Sequence, residues 1–288
     1  MQPMIATAEQ LRHSLADWLY LTGIQFETKD IVTSWQQDGF AEVPQQVIEK
    51  SSRPTVLKPA NDVATVIAMP VIEPVRQFAN LKDYNSYLSS WKKLGICTTS
   101  THTVLGTGVE KPILMVIAES PDDVEDRTGT AFSGLGHQLI KQALAAAGLT
   151  EGQLYLTYLS KWRPPGGQRN IGKHEAAHLL PLLYEEMRLV APKAVLALGE
   201  SLAGLFLGDA AQAKTVMGKV LSIQNQLDNS DLPFMASQKG EILVKTQSMK
   251  KSFWLNLLSY TAALTSGVNG LPACGSPSNN VEYISDVH

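Results

Sequence analysis

The chain has 288 residues, 44% of them hydrophobic and 18% charged, which suits one or two domains at roughly 150 residues each. Its 24 Lys and Arg against 27 Asp and Glu give a formal charge of -3, excluding a global positive field as the basis of nucleic-acid or membrane binding. Only two cysteines, Cys97 and Cys274, are present and far apart, which excludes a disulfide scaffold and any four-cysteine metal site built from this chain alone.

In chain order, Leu11, Leu15, Trp18 and Leu19 recur at helical spacing before Gly23, so a short amphipathic helix is expected over 8–22. From about Lys29 to Pro74 the Ser, Gln, Thr and Pro content, without a sustained period, reads as a weakly ordered linker. Phe78, Leu81, Tyr84, Leu88 and Trp91 mark one face of a helix ending near Gly95. Ile113 to Ile117 is a continuous apolar run and predicts a buried strand, followed by a helix carrying Leu139, Ile140, Ala143 and Leu144. Further strands are expected at 154–157 and 194–198 with a helix over 173–190 between them, then a helix opening at Gly199, a strand at 233–236 and a helix over 248–265. The Gly, Pro, Ser and Asn content of the last residues predicts a disordered tail. Strand and helix alternate, which is the signature of a mostly parallel sheet covered on both faces. In such sheets ligands bind at the carboxyl ends of the strands, so the loops after 117, 157 and 236 are where chemistry is expected.

The first of these loops, Ala118-Glu-Ser-Pro-Asp-Asp-Val-Glu-Asp-Arg-Thr-Gly129, carries five carboxylates and leads to Phe132 among small residues. Such a cluster can position water, although acidic residues at a helix start are also ordinary capping chemistry. The second, Lys161-Trp-Arg-Pro-Pro-Gly-Gly-Gln-Arg169, places Lys161, Arg163 and Arg169 on a stiff loop suited to phosphate contacts, with Trp162 as a stacking surface.

Together with Pro192-Lys-Ala-Val-Leu-Ala-Leu-Gly-Glu-Ser201, these motifs resemble the family 4 uracil-DNA glycosylases over roughly residues 95–265. The resemblance implies an α/β fold, a three-layer α/β/α sandwich with a central four-stranded parallel sheet. It also implies an enzyme that flips a uracil from DNA, stacks it on an aromatic ring, reads its amide edge with an Asn and stabilises the departing anion. Glu119, Ser120, Pro121 and Asp122 then stand in the family's Gly-Glu-Ala-Pro-Gly water-positioning loop, and Phe132 is the aromatic platform. Tyr158 stands at the position of the uracil-reading Asn, and a phenol cannot supply both the acceptor and the donor of a carboxamide. Ala236 to Val244, followed by Lys250 and Trp254, aligns with the family's His-Pro loop and final helix, so Lys239 and Gly240 replace His-Pro. Of the family's iron-sulfur ligands, Cys97 lacks a CxxC partner, while Trp162 and Leu179 stand at two other ligand positions, so no cofactor is expected.

The expected organisation is an N-terminal helix over 1–28, a linker over 29–75, a glycosylase-like domain over 76–265 and a disordered tail over 266–288. The function expected is that of a uracil-DNA glycosylase-like protein of base-excision repair type with degenerate or altered N-glycosylase activity. Its alternative is a non-catalytic DNA- or protein-binding descendant. Catalytic roles fall to Glu119 and Lys239, the base pocket to Ser120, Pro121, Asp122, Phe132 and Tyr158, and DNA phosphate contacts to Lys161, Arg163 and Arg169. DNA is the expected partner, single-stranded or with a flipped base. The first ten residues lack a basic segment leading into an apolar core, and a cytoplasmic monomer without a membrane segment is expected.

His174-Glu-Ala-Ala-His178 also matches HExxH, with Glu200 a possible third ligand, so a zinc metallohydrolase is a further alternative. It ranks last, because a short motif inside a segment already explained by the glycosylase pattern arises easily by chance, and no metal is expected. His13, His102, His137 and His288 form no spacing pattern and are expected at the surface or in caps.

Overall fold

A computed structural model of the chain describes residues 77–167, 170–208, 210–224 and 231–266. The expected N-terminal helix, linker and C-terminal tail lie outside the described residues, apart from the last residue of α9 below.

The strands are β1 (Thr107–Gly108), β2 (Leu114–Ala118), β3 (Leu154–Tyr158), β4 (Val195–Leu198), β5 (Val220–Gln224) and β6 (Asp231–Ser237). The helices are α1 (Leu81–Ser90), α2 (Ile96–Thr99), α3 (Asp123–Thr128), α4 (Leu135–Ala146), α5 (Lys173–Val190), α6 (Glu200–Leu207), α7 (Ala210–Val216), α8 (Gly240–Lys245) and α9 (Gln247–Ser266). Among the described residues the six strands form one sheet in the order β1-β3-β2-β4-β6-β5.

Its centre is the expected parallel sheet, β3, β2, β4 and β6. The expectation of a purely four-stranded parallel sheet is corrected at the edges, where β1 and β5 add antiparallel strands to β3 and β6. β1, at two residues, is too short for a periodic signal, whereas β5 does alternate briefly, Leu221-Ser222-Ile223-Gln224, a strand signal of four residues.

The central strands read as unbroken apolar runs because both of their faces are covered. Along β2, Met115 and Ile117 face one core while Leu114, Val116 and Ala118 face the other. On the first side pack α1 through Tyr84 and Leu88, α5 through Leu179 and Leu183, and α6 through Leu202 and Phe206. On the second side pack α4 through Ile140 and Ala143 and α9 through Phe253, Trp254, Leu257 and Tyr260. Each fully buried Leu or Phe contributes about 1.5–3 kcal/mol, so the two cores dominate the stability of the sandwich.

Register fixes which loops meet. Ala118 pairs with Tyr158 across β2 and β3, and Leu198 pairs with Ser237 across β4 and β6. The residues that follow, Glu119, Gly199 and Lys239, therefore emerge side by side at the carboxyl end of the sheet.

Candidate functional site

Glu119 leaves β2 directly into the interior and is only 4% exposed. Its Oε1 accepts the Ile171 backbone N–H at 2.6 Å and the Ser201 hydroxyl at 3.2 Å. Its Oε2 forms an ion pair with Lys239 Nζ. Lys239, the N-cap residue of α8, also donates from Nζ to Asn170 Oδ1 at 2.9 Å. The lysine stem crosses Gly199, where a Cβ would come within 3.0 Å of Lys239 Cε and where φ is +117. Glycine there serves both the left-handed backbone and the close passage of the stem.

Phe132 is buried and has a φ of 54, a conformation costing a bulky residue on the order of 1–3 kcal/mol. It is held by Tyr158, whose hydroxyl oxygen accepts the Phe132 N–H at 2.7 Å. The two rings lie 5.2 Å apart, and the His137 imidazole completes an aromatic cluster at 4.7 Å from Phe132 and 5.6 Å from Tyr158. Tyr158 is 0% exposed, and burial followed by the charge of Glu125 pushes its phenol far above the usual range.

Beneath the cluster, Glu125 is a hub. Asp122 and Glu125 form a capping box at the start of α3, with the Asp122 N–H donating to Glu125 Oε2 at 2.8 Å and the Glu125 N–H donating to Asp122 Oδ1 at 2.9 Å. Glu125 Oε1 also accepts the Gly134 N–H at 3.2 Å and lies 2.7 Å from His137 Nδ1. Burial pushes the Glu125 carboxyl up, but the contact with His137 and the two N–H donors outweigh it, and the net shift is downward. For His137 burial pulls the imidazole down while Glu125, then Glu241 and Asp122, hold the proton on it, and the net shift is upward. Asp122 is raised, chiefly by burial. Donor atoms of Asp122, Glu125 and His137 lie within 4.8 Å of one another, but they are committed to these mutual bonds.

α4 and α8 meet through glycine backbones, since a Cβ on Gly240 would fall 2.2 Å from the Gly136 oxygen. That contact brings His137 on α4 to the same cleft as Lys239. The cleft is lined by Glu119, Ser120, His137, Lys239 and Glu241, among others, and its cavity of about 20 Å³ has room for about one water.

Of the expected site residues, Glu119, Ser120 and Lys239 therefore share the cleft. Phe132 and Tyr158 pack together beside it, Pro121 is buried, and Asp122 is a helix cap. Two expectations for the second loop are corrected. Lys161 is 2% exposed, with Nζ bonded to the Tyr158 carbonyl at 2.6 Å, to Thr157 Oγ1 and to Glu186, so it faces the interior and not a phosphate. Burial pulls the Lys161 amine down and Glu186 opposes that pull, with a net downward shift. Trp162 offers no exposed stacking face, because it is buried against Trp91 with ring centroids 5.0 Å apart and donates from Nε1 to Thr103 Oγ1 at 2.9 Å. Arg163 remains partly exposed with Nη1 3.6 Å from Asp123 Oδ1, and Arg169 lies outside the described residues.

His137 is corrected from surface or cap to a buried member of the site. Its partner Glu125 is the fourth residue of an Asp-x-x-Glu capping pattern, which signals the helix start but not the contact made across to α4. Asn170 carries no signal in the sequence, and Ser201 closes the third of the resembling motifs without a role that the sequence assigns. In the HExxH segment His174 and His178 are exposed, Glu175 accepts the Gly172 N–H at 3.0 Å as a helix cap, and Glu200 lies 4.0 Å from Lys214. Among the described residues no third donor converges on the two imidazoles.

A profile of the uracil DNA glycosylase superfamily matches residues 105–258, more than half of the chain, and the chain belongs to that superfamily. It is similar to a type-4 uracil-DNA glycosylase of Pyrobaculum aerophilum, 30% identical over 136 residues, covering 44% of this chain and 68% of that protein. Another type-4 uracil-DNA glycosylase, from Archaeoglobus fulgidus, is 28% identical over 149 residues, covering 50% of this chain and 74% of its own. A third, from Sulfurisphaera tokodaii, is 29% identical over 121 residues, covering 42% and 54%. The chain is thus a divergent relative of the type-4 enzymes.

These matches overturn the expectation that no cofactor is held. Type 4 is the class to which the resemblance ascribes an iron-sulfur cluster, so absence of a cofactor is not what membership implies, and that expectation is withdrawn. Among the described residues Cys97 is the free thiol and is buried, while Trp162 and Leu179 fill the same core. Those three residues do not fit thiolate ligation of a cluster. No helix among the described residues is long and apolar enough to cross a membrane.

Proposed function

We propose that this protein engages DNA as a uracil-DNA glycosylase-like protein of base-excision type whose own uracil excision is degenerate, undetectable or far below that of the type-4 relatives. The observation that carries this reading is the bond from the Phe132 N–H to the Tyr158 hydroxyl, with the Tyr158 ring lying against Phe132 where a flipped base would stack. A carboxamide offers uracil an acceptor for N3–H and a donor for O4; the phenol at 158 withholds that pair, a defect of about 1–3 kcal/mol before the occupied volume is counted. Glu119 supports the same reading, since its Oε1 is taken by the Ile171 N–H and the Ser201 hydroxyl and its Oε2 faces the Lys239 ammonium rather than a water over the base site. Lys239 carries positive charge at the position where the resemblance places the anion-stabilising histidine, but that charge is neutralised by Glu119. DNA contacts would fall to Arg163 and Arg169 and weaken with salt. The protein acts in this reading as a cytoplasmic monomer on single-stranded DNA or on a flipped nucleotide.

Excision assays on single-stranded and mismatched DNA carrying uracil, hypoxanthine or xanthine test the proposal. Release is expected to be negligible for the unaltered protein and to rise for Tyr158→Asn combined with Lys239→His. Robust uracil release by the unaltered protein, abolished by Glu119→Gln, would sink it. The alternative of a wholly non-catalytic descendant is favoured if the double change restores nothing while DNA binding persists.

A further inference from the structure

The site combines an obstruction with a nucleophile. The space over Phe132 is taken by Tyr158 and His137, and the remaining cavity of about 20 Å³ admits no base. A nucleotide that has already lost its base has no aromatic ring to place there. What it carries instead is a deoxyribose that opens to an aldehyde at C1′. Lining the cleft is Lys239, a partly exposed primary amine at the junction of β6 and α8, held against the buried Glu119 carboxylate. A lysine amine beside a proton acceptor is the usual means of forming a Schiff base with a carbonyl compound.

We propose that the cleft takes abasic DNA and that Lys239 forms an imine with the aldehyde of the abasic sugar. The inference rests on the DNA-binding reading above and names the substrate class of the same site. Glu119 takes a proton from the Lys239 ammonium, and the freed Nζ lone pair forms a bond to C1′. The carbonyl oxygen becomes a hydroxyl by accepting the proton that Glu119 has just taken, which leaves Glu119 a carboxylate again. That hydroxyl then leaves as water with a second proton from nitrogen relayed through Glu119, and the C–O bond breaks as the C=N bond forms. Ammonium plus aldehyde give protonated imine plus one water, with no change of oxidation state. Asn170 fixes the amine from the other side through its 2.9 Å hydrogen bond. The buried Lys161 amine is closed to this chemistry by its bonds to Thr157, Glu186 and the Tyr158 carbonyl.

The test uses the full chain with oligonucleotides carrying a natural abasic site, a tetrahydrofuran analogue that lacks the aldehyde, or an intact base. Sodium borohydride is added to reduce any imine to a stable secondary amine, and covalent adduct is read on a denaturing gel and mapped by peptide mass spectrometry. Adduct is expected with the natural abasic site only, attached at Lys239. It should fall roughly tenfold or more in Lys239→Arg, which keeps the charge but cannot form the imine, and should form more slowly in Glu119→Gln. Thermal melting of each variant separates lost chemistry from lost fold, and if Lys239→Arg fails to fold, mapping of the adduct in the unaltered protein decides alone. Adduct at another residue, or undiminished in a folded Lys239→Arg, overturns the proposal. Binding of the tetrahydrofuran DNA without any trapping overturns the imine while leaving DNA binding intact. Failure to bind any of the three DNAs removes both the inference and the reading on which it rests.

Discussion

Glu125 and His137 form a buried charge-assisted pair, Oε1 to Nδ1 at 2.7 Å, between the short helix after β2 and the start of α4. His137 is raised, so its contribution to stability is complete below its unfolded value of about 6.5 and is lost as pH rises through the folded value. Glu125 is lowered, so its contribution is complete above its unfolded value of about 4.3 and is lost as pH falls through the folded value. Melting temperature against pH should therefore decline on the alkaline side more steeply for the unaltered protein than for His137→Gln, the two curves converging at high pH. Parallel curves across that range would show that the pair is not protonated in the fold.

Removing one member of that pair has a separate cost. Glu125→Gln leaves the imidazole without its counter-charge and weakens the anchoring of Asp122 and Gly134, and a loss of about 3–5 kcal/mol is expected in urea unfolding. A loss under about 1 kcal/mol would remove Glu125 from its place as the hub.

Tyr158→Phe keeps the ring and deletes the acceptor of the buried Phe132 N–H. Destabilisation of about 1–3 kcal/mol is expected, with faster exchange of the Phe132 amide, because an unsatisfied buried donor carries its full desolvation cost. An unchanged exchange rate at that amide would show that the hydroxyl does not hold the backbone turn.

Lys161→Met leaves Glu186 with an uncompensated buried charge and should cost about 3–5 kcal/mol, whereas Lys161→Met with Glu186→Leu should recover most of it. If DNA binds, that double variant should leave the salt dependence of affinity unchanged. Arg163→Ala should reduce the logarithmic salt slope by about 1. A fall in slope for the Lys161 variant would return this residue to the phosphate surface.

Gly240→Ala places a Cβ 2.2 Å from the Gly136 oxygen, against backbone that cannot turn aside. Overpacking of this kind costs typically 1–3 kcal/mol and should push α8 and α4 apart. A melting temperature equal to that of the unaltered protein would mean that the two helices are not in contact in solution.

Where one stretch of sequence determines its own surroundings, the reading from sequence is close to the structure. The apolar run from Ile113 is β2, and α5 spans Lys173–Val190, the helix expected between the runs at 154–157 and 194–198. The carboxylates after β2 resolve into a capping box, the local chemistry expected of acids at a helix start. Legibility fails where a partner comes from far along the chain. Lys161 reads as a loop cation because Glu186, which draws it inside, belongs to a distant helix. Trp162 reads as a platform because Trp91 covers it from before the sheet begins. His137 reads as incidental because its contact with Glu125 depends on how α3 and α4 turn, not on a repeat.

The position of β2 has a consequence for how the chain reaches this state. β2 is sealed on one edge by β3, its sequence neighbour, but on the other by β4, which follows β3 and the whole of α5. A nascent chain that has produced β2 and β3 therefore holds an unpaired, wholly apolar strand edge until Val195 to Leu198 arrive. Folding rates fall as such non-local pairings accumulate, and exposed strand edges invite association with other chains. Release from the ribosome before α5 and β4 are complete should thus give aggregates, and a chaperone that shields strand edges should act between those two stages of synthesis.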